Sequence, residues 1–127
     1  DAGLAPTADE RADYYRWLFF AAGPLESAIT NRSMGFEVEP DKEKTVGYGN
    51  YDQVVDALDS KFQTDDYVCG ARVTMADVYV GAQLVWGTQF GTLPGRDSFL
   101  AYAKRLTDRD AYKSAKAVDD GLIAAIG

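Results

Sequence analysis

The stretch from Thr74 to Trp86 constrains the fold of this chain more than any other part of the sequence. It opens with a Thr-x-x-Asp spacing, in which the Thr74 hydroxyl can accept a hydrogen bond from the Asp77 amide while the Asp77 carboxylate accepts one from the Thr74 amide. Such a capping box marks the first turn of a helix. The residues that follow are nearly all apolar or small, with Gln83 the exception, so the helix lacks a wide polar face. The sequence therefore predicts a helix from Thr74 to about Thr88, buried at the centre of its domain.

The apolar residues in the rest of the chain recur with helical spacing. Thr7 and Glu10 form a second capping box, at the start of a long helix through about Thr30. Pro24 should bend that helix near Ala22, because it removes one backbone hydrogen bond. No stretch alternates as a strand does, so the predicted fold class is all-α, a bundle of about five helices. The other helices are predicted from Tyr48 to about Phe62, from about Arg96 through Leu106 and from about Asp108 to Ala125, with residues 32–45 as an exposed loop.

Length and charge narrow the class of protein. The chain has 127 residues, of which 46% are hydrophobic, enough for one core. Residues 1–6 contain Gly and Pro and are interpreted as the end of a linker, and residues 7–127 as a single helical domain. The formal net charge of -7 argues against a nucleic-acid or membrane partner. No apolar run is long enough to span a membrane, and residues 1–6 have no signal-like pattern, so a cytoplasmic location is expected.

The residue types exclude some kinds of chemistry. The chain contains no His and a single Cys, so the sequence offers no zinc cluster, no imidazole base and no internal disulfide. The single Cys69 lies between Val68 and Gly70, a setting more typical of a small buried hydrophobe than of a reactive thiol.

Three stretches of this sequence resemble one known family. Residues 67–77, which read Tyr-Val-Cys-Gly-Ala-Arg-Val-Thr-Met-Ala-Asp, resemble the stretch that opens the central sixth helix in the C-terminal domain of cytosolic glutathione S-transferases. Residues 15–20 resemble the first helix of that domain, and residues 99–112 resemble its last two helices. The family usually has Arg-Pro where this chain has Arg109-Asp110, and Asp also suits the first turn of a helix. The resemblance runs from about Leu4 to Asp120 and is to bacterial-type members.

The resemblance implies that this chain is one of the two domains of an enzyme. In this family an N-terminal thioredoxin-like domain binds glutathione and supplies the residue that activates its thiol. The chain would then be the hydrophobic-substrate domain of a parent that conjugates glutathione, its co-substrate, to an apolar electrophile. It would hold no catalytic residue, bind no cofactor or metal itself, and be inactive alone. Its partners would be the thioredoxin-like domain and, in the parent, a second copy in a homodimer.

The resemblance also implies positions for the substrate pocket. Tyr15, Phe19, Ala22 and Glu26 would form one wall, since their spacing places them on one face of the long helix, and Trp86 of the central helix would face them. Core packing is the alternative for Phe19, Ala22 and Trp86, and a solvated charge is the alternative for Glu26. An acidic residue near the start of this helix, here Asp9 or Asp13, would reach the glutathione amine across the dimer.

A second class of function is a stand-alone, non-catalytic helical interaction module. Related domains in translation elongation factor and aminoacyl-tRNA synthetase assemblies act as protein docking surfaces. The two hypotheses differ in the surface that they require. A free domain needs a polar surface, whereas a domain that has lost its partner exposes apolar side chains such as Tyr15, Phe19 and Trp86.

Overall fold

The computed structural model describes residues 2–127, and every regular element in that range is helical. An isolated bridge between Tyr67 and Gly70 is the one strand-like pairing within it. The predicted all-α class is therefore confirmed. None of the helices in residues 2–127 is long and apolar enough to cross a membrane. The helices are α1 (Arg11–Phe20), α2 (Glu26–Ser33), α3 (Tyr51–Thr64), α4 (Met75–Phe90), α5 (Asp97–Thr107) and α6 (Asp110–Ile126), and a short 3-10 helix spans Pro40–Lys42.

A π-helical turn, Ala21–Leu25, joins α1 to α2 and makes them one continuous helix. Pro24 lies inside this turn. Its missing N–H and its ring disrupt α-helical hydrogen bonding, and the wider π turn accommodates both. The prediction that the helix continues past the proline is confirmed.

The beginning of α1 differs from the prediction. The Thr7 amide donates to the Glu10 carboxylate at 2.8 Å, which is one half of the predicted capping box. However, α1 begins at Arg11 with Glu10 as its N-cap residue, so Thr7 lies outside the helix. The physical reason is that the Glu10 carboxylate also accepts a hydrogen bond from Arg72. The segment before α1 is thereby held against the start of α4, where the Met75 amide donates to the Leu4 carbonyl.

Helix α4 is central, as predicted, but it is buried on one side only. The capping box of Thr74 and Asp77 is present at its start, and both residues are fully buried. The buried face continues through Val80 and Leu84, and the helix packs against α1 and α5. The prediction that the helix is buried on all sides is wrong. Helices α1 and α5 cover one side of α4, and the apolar residues of the other side are exposed to solvent. The exposed large apolar residues of α4 are Met75, Val78, Tyr79, Trp86 and Phe90.

The core lies between the α1–α2 helix and helices α3, α4 and α5. The rings of Phe62 on α3 and Tyr102 on α5 stack with centroids 3.8 Å apart. Helix α3 begins at Tyr51, three residues after the predicted start, because the Asn50 side chain accepts from the Gln53 amide at 2.9 Å and caps the helix there. Other fully or almost fully buried apolar residues are Ala21, Leu25, Val55, Leu58, Val68, Leu84 and Phe99.

Helix α6 has the least contact with the rest of the domain. It packs against α5, and none of its residues is buried. The predicted apolar stripe exists, but Val118 is 63% exposed and Leu122 is 60% exposed. This helix therefore presents an apolar face that no other described part of the chain covers.

Candidate functional site

The four residues predicted to line a substrate pocket on the first helix all face solvent. Tyr15 is 50% exposed and Phe19 is 68% exposed, and their rings stack at 6.5 Å. Ala22, in the π turn, and Glu26, at the start of α2, are exposed as well. Phe19 and Ala22 therefore take no part in the core, whose residues on this helix are Trp17, Ala21, Leu25 and Ala28.

Trp86 lies on the exposed side of α4 and is 63% exposed. Its ring lies 5.3 Å from that of Phe90. It lines an apolar groove of about 310 Å³ between α4 and α6. None of the four predicted residues of the first helix lines this groove, so the structure does not bring Trp86 and that wall into it together. Its other lining residues are Leu4, Asp77, Val78, Gly81, Ala82, Val85, Leu106, Arg109, Ala111, Tyr112 and Ala115.

The two acidic residues proposed to reach glutathione lie near the start of α1. Asp9 is exposed in the turn before the helix. A carboxylate oxygen of Asp13 lies 4.0 Å from the Lys61 ammonium of α3, which also pairs with Asp65 at 3.0 Å. Asp13 therefore has a cationic neighbour within its own chain.

Asp77 is the centre of a buried polar network. Its Oδ1 accepts from the Val68 amide at 2.7 Å and from the Tyr102 hydroxyl at 2.9 Å. Its Oδ2 accepts from the Thr74 amide at 2.8 Å and from the Thr74 hydroxyl at 3.0 Å. Burial, and then the neighbouring charge of Asp77, raise the pKa of Tyr102, so this hydroxyl stays protonated and donates. Four donors satisfy the carboxylate, which makes it a structural group rather than a catalytic base.

Arg72 and Glu10 form an ion pair that the sequence analysis did not predict. The Arg72 Nε donates to Glu10 Oε1 at 2.8 Å, and Nη2 contacts the other carboxylate oxygen. This pairing, followed by the hydrogen bond from the Thr7 amide, lowers the pKa of Glu10 to about 2. The two residues are far apart in sequence and belong to no shared motif, so no local signal could have revealed the pair.

A second cavity, of about 280 Å³, lies between α2, α3 and the loop that joins them. It is lined by Arg32, whose guanidinium lies 4.1 Å from the centre of the Tyr51 ring, and by Tyr48, whose hydroxyl accepts from Asn31. The Tyr51 hydroxyl donates to the Thr92 carbonyl at 2.7 Å. Both tyrosine hydroxyls of this cavity are therefore bonded to residues outside its lining.

The described residues hold no group of three or more His, Cys, Asp or Glu side chains that could bind a metal ion. No family model, curated protein or solved structure matches this chain.

Proposed function

We propose that this chain is the C-terminal, hydrophobic-substrate domain of a bacterial-type glutathione S-transferase of the cytoplasm. The parent would conjugate glutathione to an apolar electrophile. A thioredoxin-like domain would bind glutathione and activate its thiol, and this chain would supply an apolar surface that orients the electrophile and keeps water away. In the parent homodimer, Asp9 or Asp13 would approach the glutathione amine of the other subunit.

The observation that carries this proposal is the exposure of large apolar side chains on two helices that pack together. Tyr15, Phe19 and Trp86 are each at least half exposed. On α1 the rings of Tyr15 and Phe19 stack, and on α4 the rings of Trp86 and Phe90 lie 5.3 Å apart, so each helix exposes neighbouring aromatic side chains. Exposed apolar patches of this kind are typical of a domain that works against a partner or a ligand. The arrangement of the helices is compatible with the proposal, since α4 starts with the capping box and packs against α1 and α5.

The apolar groove between α4 and α6 adds a second argument. Its volume of about 310 Å³ is near the lower limit for sites that bind small molecules, and its lining is mostly apolar, with Asp77 and Arg109 as the charged exceptions. Trp86 belongs to it, so an indole whose fluorescence reports on apolar ligands lies at the proposed site.

The first experiment is an NMR titration of the isotope-labelled chain with nitrobenzene, a neutral aromatic compound. We expect saturable shifts of the Trp86 indole signal and of backbone amides in residues 15–26 or in α4. Trp86→Phe should remove the indole response, while the buried Trp17 provides an internal signal that does not move. Shifts that are absent, or that increase linearly without saturation, would argue against an aromatic-substrate surface.

A second experiment separates the proposal from its alternatives. The isolated chain should conjugate glutathione to an aromatic electrophile no faster than the uncatalysed reaction. Conjugation that Tyr15→Phe or Glu26→Gln abolishes would mean that the chain is itself an enzyme. A stand-alone interaction module would bind neither glutathione nor nitrobenzene. It would instead lose its affinity for a protein partner when Tyr15 and Phe19 are replaced together by serine.

A further inference from the structure

The segment before α1 is bound closely to the start of α4. The Met75 amide, one of the first amides of α4, donates to the Leu4 carbonyl at 2.9 Å. The Thr7 amide donates to the Glu10 carboxylate at 2.8 Å. Backbone groups on both sides of Pro6 are therefore held by residues of the folded domain.

Arg72 provides most of this attachment. Its Nη1 donates to the Gly3 carbonyl at 2.6 Å and its Nη2 to the Ala5 carbonyl at 2.8 Å. The same guanidinium makes a two-point contact with the Glu10 carboxylate. Only arginine has donors in a planar fork that can reach a carboxylate and two carbonyl oxygens at once. We call Arg72, Glu10 and the backbone of residues 3–7 the N-terminal clamp.

The clamp also determines where Leu4 lies. The carbonyls of Gly3 and Ala5, on either side of Leu4, are bonded to Arg72, and the Leu4 carbonyl is bonded to the Met75 amide. Leu4 is one of the residues that line the groove beside Trp86. The clamped segment therefore contributes one residue to the lining of the groove.

We propose that Arg72 is a positioning residue that fixes the path by which the chain reaches its helical domain and holds Leu4 at the edge of the α4–α6 groove. The capping box of α4 needs neither Arg72 nor this segment, since Thr74 and Asp77 bond to each other. The clamp is thus an addition to the core fold. In the proposed transferase, it would set how the thioredoxin-like domain lies against the groove, and that consequence rests on the proposed function.

The clamp can be tested by amide hydrogen exchange on this chain without any ligand. Arg72→Ala removes the charged donor that holds the Gly3 and Ala5 carbonyls and the Glu10 carboxylate, so the segment that pairs with the Met75 and Thr7 amides is held less firmly. We therefore expect these two amides to exchange about tenfold faster. The Thr74 amide, which bonds to Asp77, should keep its protection. Arg72→Lys should restore little of this protection, because a lysine ammonium cannot reproduce the planar, forked set of donors of the guanidinium.

Cys69 offers an independent reporter, because its Sγ lies 3.8 Å from the Glu10 carbonyl and it is the only thiol in the sequence. Its reaction with a thiol reagent should be faster in Arg72→Ala. A matched control is Arg96→Ala, which removes a guanidinium paired with Asp56 and Asp59 at a different place. The control should leave both measurements unchanged. Met75 and Thr7 exchange within about twofold of the parent in Arg72→Ala would overturn the clamp, whatever the outcome of the aromatic titration.

Discussion

The Tyr102 hydroxyl donates to Oδ1 of Asp77 at 2.9 Å, and both side chains are completely buried. This contact connects α5 to the first turn of α4. It complements the capping box, which satisfies the other carboxylate oxygen through Thr74. The start of the central helix is therefore stabilised from within and from a second helix.

Tyr102→Phe should lower the free energy of unfolding by about 1 to 2 kcal/mol, because Asp77 loses one of its buried donors while the ring packing on Phe62 is kept. Denaturant melts measure this change. Tyr79→Phe is the matched control, since Tyr79 is 37% exposed and should change stability by less than about 0.5 kcal/mol. If Tyr102→Phe and the parent have equal free energies of unfolding, the hydrogen bond from Tyr102 to Asp77 does not stabilise the fold.

Asp77→Ala should cost more than Thr74→Ala. Asp77→Ala leaves several buried donors without an acceptor and should lower the free energy of unfolding by about 3 kcal/mol or more. Thr74→Ala removes the hydroxyl of an N-cap and should lower it by about 1 to 2 kcal/mol. If both variants melt within about 0.5 kcal/mol of the parent, the capping box does not organise the domain.

Two helical glycines should respond to alanine with opposite signs. A Cβ at Gly87 would lie 2.6 Å from Leu93 Cδ1 and 2.8 Å from its Cγ, so Gly87→Ala should destabilise by about 1 to 3 kcal/mol. A Cβ at Gly121 meets nothing within 4 Å, so Gly121→Ala should stabilise α6 by about 0.5 to 1 kcal/mol. Thermal melts of the two variants measure the signs. If Gly87→Ala stabilises the protein, Leu93, in the turn after α4, packs less closely against Gly87 than these distances indicate.

The Glu10 carboxylate should titrate with a pKa of about 2, against an ordinary value of 4.5. Because the folded pKa is lowered, the stabilising effect is complete above pH 4.5 and is lost as the pH falls towards 2. The difference in melting temperature between the parent and Arg72→Ala should therefore shrink across that window. An NMR titration of Glu10 gives the pKa directly, and Arg72→Ala should raise it. A difference in melting temperature that stays constant from pH 6 to pH 2 would contradict the ion pair between Arg72 and Glu10.

Leucines on α5 and α6 should differ in their importance for stability. Leu122→Lys should change the free energy of unfolding by less than about 0.5 kcal/mol, since this side chain is 60% exposed. Leu106→Ala should cost about 2 to 5 kcal/mol, since Leu106 is only 7% exposed. Denaturant melts compare them. A large loss in Leu122→Lys would indicate that α6 is covered in solution, for example by a second copy of the chain.

The sequence predicted the helices well because their signals are local. The capping box at Thr74, the helical spacing of apolar residues and the tolerance of Pro24 within the first helix depend on residues a few positions apart. The start of α3 was missed by three residues, although Asn50 is a common N-cap type, because Tyr48 fits the apolar spacing equally well.

What the sequence could not predict is set by tertiary contacts. Two partners of Asp77 lie outside its own turn. Tyr102 becomes a neighbour only when α4 and α5 pack, and Val68 only when the loop before α4 folds back onto the first turn of that helix. Exposure of Trp86 depends on which side of a largely apolar helix meets α1 and α5, and apolar periodicity carries little information on that choice. The predicted pocket wall could be placed on one helix face, but its position relative to the α4–α6 groove depends on how the helices pack.

The bonds at the start of α4 close loops of very different lengths, which predicts an order in which they form during folding. The capping box closes over three residues, the Asp77 bond to Val68 over nine, and the bond to Tyr102 over 25. Closing a longer loop costs more chain entropy, so the box should form early in folding and the tyrosine should join late. Loss of the Tyr102 hydroxyl would then leave the folding rate nearly unchanged and speed unfolding instead. We therefore expect the tyrosine hydroxyl to prolong the lifetime of the native state without speeding its formation.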